Sequence, residues 1–349
     1  MTPASGTALP TVSVVIPMLN EKGFIEACLD SFDHQTYPHG LLDVVVVDGG
    51  STDGSRAYVA AAARRHTWLR LVDNWQRRIP IGCNVGLAAA RGSVVCFFSA
   101  HGLASPSYIE RSVAVLLETG AAGVGGVYRH EGLGPASTAI GAAMSSPVGM
   151  ASTHRFAAAR REVDTASHPA YLTAAVRAAG GFDPALERNE DYELNWRIRA
   201  AGGRLVFDPS IVSTYRPRGS LADLARQFWW YGRWKAKVIA KHPGSVAIRH
   251  CVPPLAVAAA GTAPVLLGHK GGRRAVILGA MSYGALIGIG WRRARKEHAG
   301  ADPLVLAAAF PTMHAAWGAG FLTTVMSGGP SWLRGRRGAI RIARHGEAA

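Results

Sequence analysis

Carboxylates and imidazoles can hold a cation or take up a proton near neutral pH, and in this chain they fall in a few short polar segments. Asp48-Gly49-Gly50-Ser51-Thr52-Asp53 sets two acids around a glycine pair. Ser99-Ala100-His101 offers a hydroxyl and an imidazole. Asn189-Glu190-Asp191-Tyr192-Glu193 places its acids just ahead of a segment rich in apolar and basic residues. Pro17-Met18-Leu19-Asn20-Glu21 adds an amide and a carboxylate, and Gln227–Trp234 is crowded with aromatics around Arg233. Each pattern also has a purely structural use. Asp before Gly organises turns, acids suit the partial positive charge of a helix N-terminus, and Trp and Tyr gather where an apolar phase meets water.

The elements between these segments decide which of them can meet. Val12–Pro17 reads as a buried strand, as do Leu42–Val47, Leu69–Val72 and Ser93–Phe98. Phe24, Ile25, Cys28, Leu29 and Phe32 recur at helical spacing within Glu21–Gln35. Further helices are expected over Ala57–His66, Gly82–Ala90 and Pro106–Glu118. Apolar strands alternating with helices imply a mainly parallel α/β sheet covered on both faces. Right-handed crossovers place the strand C-termini on one edge, where open α/β sheets bind ligands. Residues 17–21, 48–53 and 99–101 follow three of these strands, so a ligand crevice is expected there.

Composition narrows the class. Of 349 residues, 48% are hydrophobic and 17% charged, which excludes a disordered chain. The 41 glycines show no triplet period, which excludes collagen. Four scattered cysteines form no CxxC pair, so neither a disulfide framework nor a structural zinc site is indicated, and reduced thiols in a cytoplasmic compartment are expected. The first apolar run is too short for a secretory h-region. The net charge of +15 is concentrated toward the C-terminus, in His269–Arg274, Arg292–Lys296 and Arg334–Arg344. These clusters flank Cys251–Gly268, Ala275–Trp291 and Leu304–Met326, stretches without Asp, Glu, Lys or Arg. Basic flanks on apolar runs suggest charge facing anionic lipid rather than nucleic acid. The expected organisation is an N-terminal tail (1–11), an α/β domain (12–226), an interfacial aromatic and basic helix (227–250), membrane-associated helices (251–328) and a basic tail (329–349). Two crossings, with one apolar stretch re-entrant or interfacial, would keep that tail on the cytoplasmic side.

Val12-Ser-Val-Val-Ile-Pro-Met-Leu-Asn-Glu21 followed by Val45-Val-Val-Asp48-Gly-Gly-Ser-Thr-Asp53-Gly-Ser55 resembles the opening of family 2 glycosyltransferases with the GT-A fold. Ser99-Ala-His101, Tyr108-Ile-Glu-Arg111, Gly125-Gly126, Gly181-Phe-Asp183, Asn189–Glu193 and Tyr231-Gly-Arg-Trp234, together with the apolar C-terminus, resemble the membrane-anchored exopolysaccharide enzymes of succinoglycan type. The likeness covers roughly residues 10–245. It implies an α/β GT-A nucleotide-diphospho-sugar transferase domain, with a Rossmann-like mixed, mainly parallel sheet, followed by membrane helices.

The resemblance assigns roles residue by residue. Asp48 becomes the partner of a uracil N3–H, with Pro17, Asn20, Glu21, Asp53 and Ser99 in the nucleotide pocket. Ser99-Ala-His101 stands where the family carries an Asp-x-Asp metal motif and related enzymes read Asp-Ala-His. Ser99 removes one charge, leaving His101 as a single protein ligand for Mn²⁺ or Mg²⁺. Asp191 becomes the base that takes the acceptor's proton in an inverting displacement, with Glu190 as the alternative. Gln227, Arg233 and Trp234 resemble a Gln-x-x-Arg-Trp signature for diphosphate and acceptor, but Gln227 stands six residues before Arg233, which argues against a processive synthase. Arg78, Asn84 and Arg91 receive no sharp assignment.

The expected function is transfer of a hexose from a nucleotide sugar, UDP-linked, to a lipid-linked saccharide at the cytoplasmic face of the membrane, within a pathway shared with other transferases. The rivals are a polyprenyl-phosphate sugar synthase and a catalytically silent membrane scaffold or sugar-binding protein.

Overall fold

The computed structural model describes residues 8–150 and 158–327. The first residues of the N-terminal tail and the basic tail at 329–349 lie outside the described residues. In chain order the elements are β1 (Val12–Met18), α1 (Ile25–Asp33), β2 (Leu42–Asp48), α2 (Ser55–Ala63), β3 (Leu69–Asp73), α3 (Ile79–Ala89), β4 (Val94–Phe97), β5 (Gly102–Ala104) and α4 (Tyr108–Thr119). Then follow β6 (Gly123–His130), α5 (Pro135–Met144), β7 (Arg161–Glu162), β8 (Ala170–Leu172), α6 (Thr173–Ala178), α7 (Glu190–Ala200) and β9 (Leu205–Tyr215). The chain closes with α8 (Leu221–Lys241), α9 (Ile248–Leu266), α10 (Lys270–Glu297) and α11 (Pro303–Ser327).

The strands form one nine-stranded sheet in the order β3-β2-β1-β4-β8-β6-β9-β5, with β7 on β9. Its first four strands are parallel, as the alternating apolar runs predict. Register pairs Met18 with Asp48 and Asp48 with Asp73, so the loops after β1, β2 and β3 leave at one edge. Beyond β4 the sheet is mixed: β8 runs antiparallel to β4 and β6, β9 parallel to β6, and β5 and β7 antiparallel to β9. The result is the mixed α/β sheet of the expected fold class.

Side chains alternate across the sheet because the strand period is two. Val12, Val14 and Ile16 pack with Val44 and Val46 against Ile25, Phe32, Val59, Ile109 and Val113 of α1, α2 and α4. Val15, Val45 and Val47 pack on the other face against Cys83, Leu87, Val176, Leu194 and Ile198 of α3, α6 and α7. Helix α8 runs unbroken from Leu221, so the interfacial segment expected from residue 227 begins inside it.

A third core joins α5, α8 and the C-terminal helices. Leu306, Ala309, Phe310 and Met313 form the buried face of α11, at the spacing of one helical stripe. Helix α10 instead exposes Ile277, Leu278, Met281, Leu286 and Ile289. By length and composition α10 and α11 could each cross a bilayer, whereas α9 carries Pro253, Pro254 and Pro264. Backbones of α8 and α11 touch at glycines: a Cβ on Gly232 would lie 2.0 Å from the Trp317 carbonyl oxygen, and one on Gly320 2.2 Å from that of Trp229. Gly232→Val should therefore force the helices apart, costing roughly 1–3 kcal/mol and several degrees of Tm by calorimetry. An unchanged Tm would refute that close packing.

Candidate active site

The loops after β1 and β2 are tied by their own polar side chains. Asn20 adopts a left-handed backbone (φ 55°), which Asn tolerates better than most residues. Its backbone N–H donates to Ser51 Oγ (2.9 Å), and its Oδ1 accepts from Thr52 N (2.8 Å). Asp53 accepts from the N–H groups of Lys22 (2.8 Å) and Ser55 (3.0 Å). Asp48 is 1% exposed. Its carboxylate accepts from the Ser51 hydroxyl (2.6 Å), the N–H groups of Gly50 and Ser51, and Arg56 Nη1 (3.0 Å). Arg56 also pairs with Asp73.

This strut braces one wall of a cleft of about 450 Å³. The structure brings Pro17, Glu21, Ser99, His101, Glu190 and Asp191 together around it, with Gly49 at the end of the braced turn. Asn20, Asp48 and Asp53 do not line it; their side chains are engaged in the strut, the turn-forming role of Asp before Gly. Asn74, Arg77 and Arg78 do line it, and sequence reading singled out only Arg78 among them, without a role. They follow β3 at the same sheet edge, so the rule that picks the other loops applies equally to them. Asn74 Oδ1 and Arg78 Nε are buried and have no hydrogen-bond partner among the described residues.

After β4, Gly102 N closes a turn on the Ser99 carbonyl (2.9 Å) and turns His101 back toward the β1 loop. His101 Nδ1 lies 3.3 Å from Glu21 Oε1, and the ring packs edge-on against Phe24 and Tyr215. Among the described residues no group of three or more His, Cys, Asp or Glu is placed to hold a metal. The local donor set is one imidazole and one carboxylate, with Ser99 on the same wall.

The facing wall is the first turn of α7. Asn189 enters it with a left-handed backbone (φ 59°) and donates from Nδ2 to the Tyr231 carbonyl of α8 (3.2 Å). Asp191 is exposed to the cleft, and its Oδ1 accepts from Tyr192 N (2.7 Å). Burial, reinforced by the neighbouring Asp191, pushes the Glu190 carboxyl up to about 8. Behind them Glu193 is fully buried. It accepts from Arg197 (2.7 and 2.9 Å), Lys241 (2.7 Å) and His242 (2.8 Å), pinning α7 to the end of α8. Burial alone would raise the Glu193 pKa, but these bonds outweigh it and hold the carboxyl at about 2.

Three expected residues are not brought to the cleft. Gln227 donates to the hydroxyls of Tyr215 (3.1 Å) and Tyr231 (3.0 Å), bracing the tyrosine beside His101. Trp234 is buried against Leu186, Tyr192 and Val238. Arg233 lies over the Trp230 ring, 5.1 Å from its centroid. Helical spacing turns these residues toward the core of α8 or along its surface, which a motif read as a linear string does not reveal. Asn84 makes a two-way bond to the Phe182 backbone (2.7 and 2.8 Å), a structural tie between α3 and the α6–α7 loop.

The site can be set beside known proteins. The profile of glycosyl transferase family 2 matches residues 13–166. The succinoglycan biosynthesis protein ExoA of Rhizobium meliloti (strain 1021) is 32% identical over 313 residues, 88% of this chain and 93% of that protein. The dolichyl N-acetyl-alpha-D-glucosaminyl phosphate 3-beta-D-2,3-diacetamido-2,3-dideoxy-beta-D-glucuronosyltransferase of Methanococcus voltae is 25% identical over 66% of this chain and 74% of its own length. Among solved structures, the mannosyltransferase PcManGT from Pyrobaculum calidifontis, in complex with GDP-Man and Mn²⁺, superposes with a TM-score of 0.62 at 22% identity, covering 91% of this chain and 88% of its own. That likeness places this sheet within the GT-A fold. With the relation to ExoA spanning nearly the whole chain, the protein belongs to glycosyl transferase family 2.

Proposed function

We propose that this glycosyltransferase moves a hexose from a nucleotide sugar to a lipid-linked saccharide at the membrane surface, by inversion at the anomeric carbon. The observation that carries the reading is the meeting, in one cleft, of the Glu190–Asp191 turn with the Glu21, Ser99 and His101 wall. The Methanococcus relative, whose name specifies a dolichyl-phosphate-linked sugar, supports a lipid-carried acceptor. The ExoA relation supports exopolysaccharide synthesis alongside other transferases. The exposed apolar face of α10 supports attachment to the membrane, with the α/β domain, residues 12–226, on its cytoplasmic side.

In this reading the nucleotide lies along the β1, β2 and β3 loops, whose rigidity comes from the Asn20, Asp48 and Asp53 strut. A base in that bed would be read at the Asp48–Gly50 turn, and the diphosphate would meet Arg77 and Arg78. The acceptor oxygen attacks the anomeric carbon while the bond to the diphosphate breaks on the opposite face. Asp191 takes the acceptor's proton; Glu190, protonated near neutrality, keeps a second negative charge away from the incoming diphosphate.

His101, Glu21 and Ser99 fit a divalent cation that accepts nitrogen as well as oxygen ligands, as Mn²⁺ does, and PcManGT was solved with that ion. Such a cation supplies positive charge against the charge developing on the leaving group.

Calorimetric titration of the detergent-solubilised chain with UDP and GDP, each with Mn²⁺, Mg²⁺ or EDTA, tests the pocket. The expected result is metal-dependent binding of one nucleotide, with metal affinity roughly tenfold or more weaker in His101→Ala. Binding of neither nucleotide would favour the silent scaffold, the reading that Ser99 in place of an acid invites. Soluble sugars outperforming lipid-linked ones as acceptors would overturn the acceptor assignment.

A further inference from the structure

A second cavity, of about 300 Å³, lies behind α7. The same helix whose first turn opens to the main cleft presents Tyr192, Trp196 and Arg199 to this one, one face at spacings of four and three. The opposite wall is Gly244–Ala247, the turn that starts α9. Helix α9 has 19 residues and begins at Ile248 with Ala247 as its N-cap, a residue without a side-chain oxygen to accept an N–H. Helix N-termini carry unpaired donors and partial positive charge, and so favour anions.

Independent features of the wall point to a ligand. Ser245 lines the cavity, is 4% exposed, and keeps a buried hydroxyl with no partner among the described residues. Arg199 stands exposed at the rim. Arg249, in the first turn of α9, pairs with Asp164, the one acid lining the cavity. Behind Tyr192, the Lys235 ammonium lies 3.0 Å from that ring's centroid. With Asp164 paired to Arg249, Arg199 is the one lining charge left uncompensated among the described residues, beside a space that also offers a hydroxyl and a helix N-terminus.

We propose that this cavity binds a phosphoryl group, delivered by an anionic lipid headgroup or as free phosphate. A lipid source suits the position, because α9 leads directly into α10 and its exposed apolar surface. Occupancy would hold α7 from its rear face and thereby steady the turn that carries Glu190 and Asp191.

The test uses the full chain in detergent. Inorganic phosphate, added at constant ionic strength, should change tryptophan fluorescence, and the change should vanish in Trp196→Phe. Ser245→Val and Arg199→Gln should each weaken the apparent affinity about tenfold, while Arg199→Lys retains most of it. Flotation with phosphatidylcholine vesicles, with and without phosphatidylglycerol, separates the sources. Loss of phosphatidylglycerol-dependent flotation in the same variants assigns the headgroup; unchanged flotation with weakened phosphate binding assigns free phosphate. Arg199 is exposed, so its variant remains informative even where Ser245→Val misfolds. If neither probe distinguishes Arg199→Gln from the native chain, the proposal is wrong. None of these readouts depends on sugar transfer, so this site and the catalytic reading stand or fall separately.

Discussion

Asp191→Asn should lower the rate of sugar transfer about 100- to 10,000-fold, the range that a positioned general base contributes, while nucleotide binding stays near native. The side chain lies exposed on the cleft wall facing His101, and the amide is nearly isosteric with the acid, so the change removes proton acceptance and little else. Single-turnover kinetics with the purified chain would read the chemical step, and calorimetry the donor affinity. A variant that transfers at a native rate would eliminate Asp191 as the base. Glu190→Gln separates the neighbouring roles through pH. With its pKa raised to about 8 by burial and by Asp191, Glu190 ionises as the pH passes that value. The added negative charge should then weaken donor binding in the native chain, and the Gln variant should show no such limb. The raised value also implies that Glu190 favours the folded state when protonated, an effect fully present below the ordinary carboxylate pKa and lost as pH rises through about 8.

Glu193→Ala should destabilise the fold by about 3–5 kcal/mol, lowering Tm by roughly 10 °C. Glu193 is buried with no exposed side-chain surface and accepts from Arg197, Lys241 and His242 at once. Its removal leaves the Arg197 guanidinium without its carboxylate partner, while Lys241 keeps Asp183 (2.6 Å), and it loosens the rear of α7 from α8. The pH dependence has a defined sign. The folded carboxyl is held at about 2 against an ordinary value of 4.5, so its stabilisation is complete above pH 4.5 and disappears as pH falls toward 2. The shift corresponds to about 3 kcal/mol. Acid unfolding followed by circular dichroism should therefore be less steep in Glu193→Gln. Coincident acid transitions would show that the network contributes no pH-linked stability. Because Glu193 sits within one helical turn of Asp191, the Gln variant should also slow transfer more than it weakens donor binding, a positioning effect.

Much of this architecture was legible in the linear order of residues. Val12–Pro17, Leu42–Val47, Leu69–Val72 and Ser93–Phe98 are mostly apolar runs, interrupted only by Ser13, Asp43, Arg70 and Ser93, with helical spacing between them, and a chain so patterned buries them as a covered parallel sheet. That also places residues 17–21, 48–53 and 99–101 at one edge, since parallel strands end on the same side. The mixed half of the sheet was not legible. β5, β7 and β8 span two or three residues each, and their pairing is set by partners distant in sequence.

Residue types and local spacing settle what a segment can become, because strand period, helix period and turn chemistry act over a few residues. Which side chain is left free for a ligand is a question of long-range partners. Asp48 and Asn20 have the chemistry of ligand-binding groups, yet Asp48 is engaged by its own turn and by Arg56, and Asn20 by Ser51 and Thr52 of the neighbouring loop. Gln227 and Trp234 stand in a motif-like string, yet the packing of α8 turns one to two tyrosines and the other into a core. Asn74 and Arg77 looked unremarkable, yet β3 delivers them to the lining of the cleft. Local periodicity names the elements; burial and competition for hydrogen-bond partners, which exist only once the chain is folded, select the residues that can act.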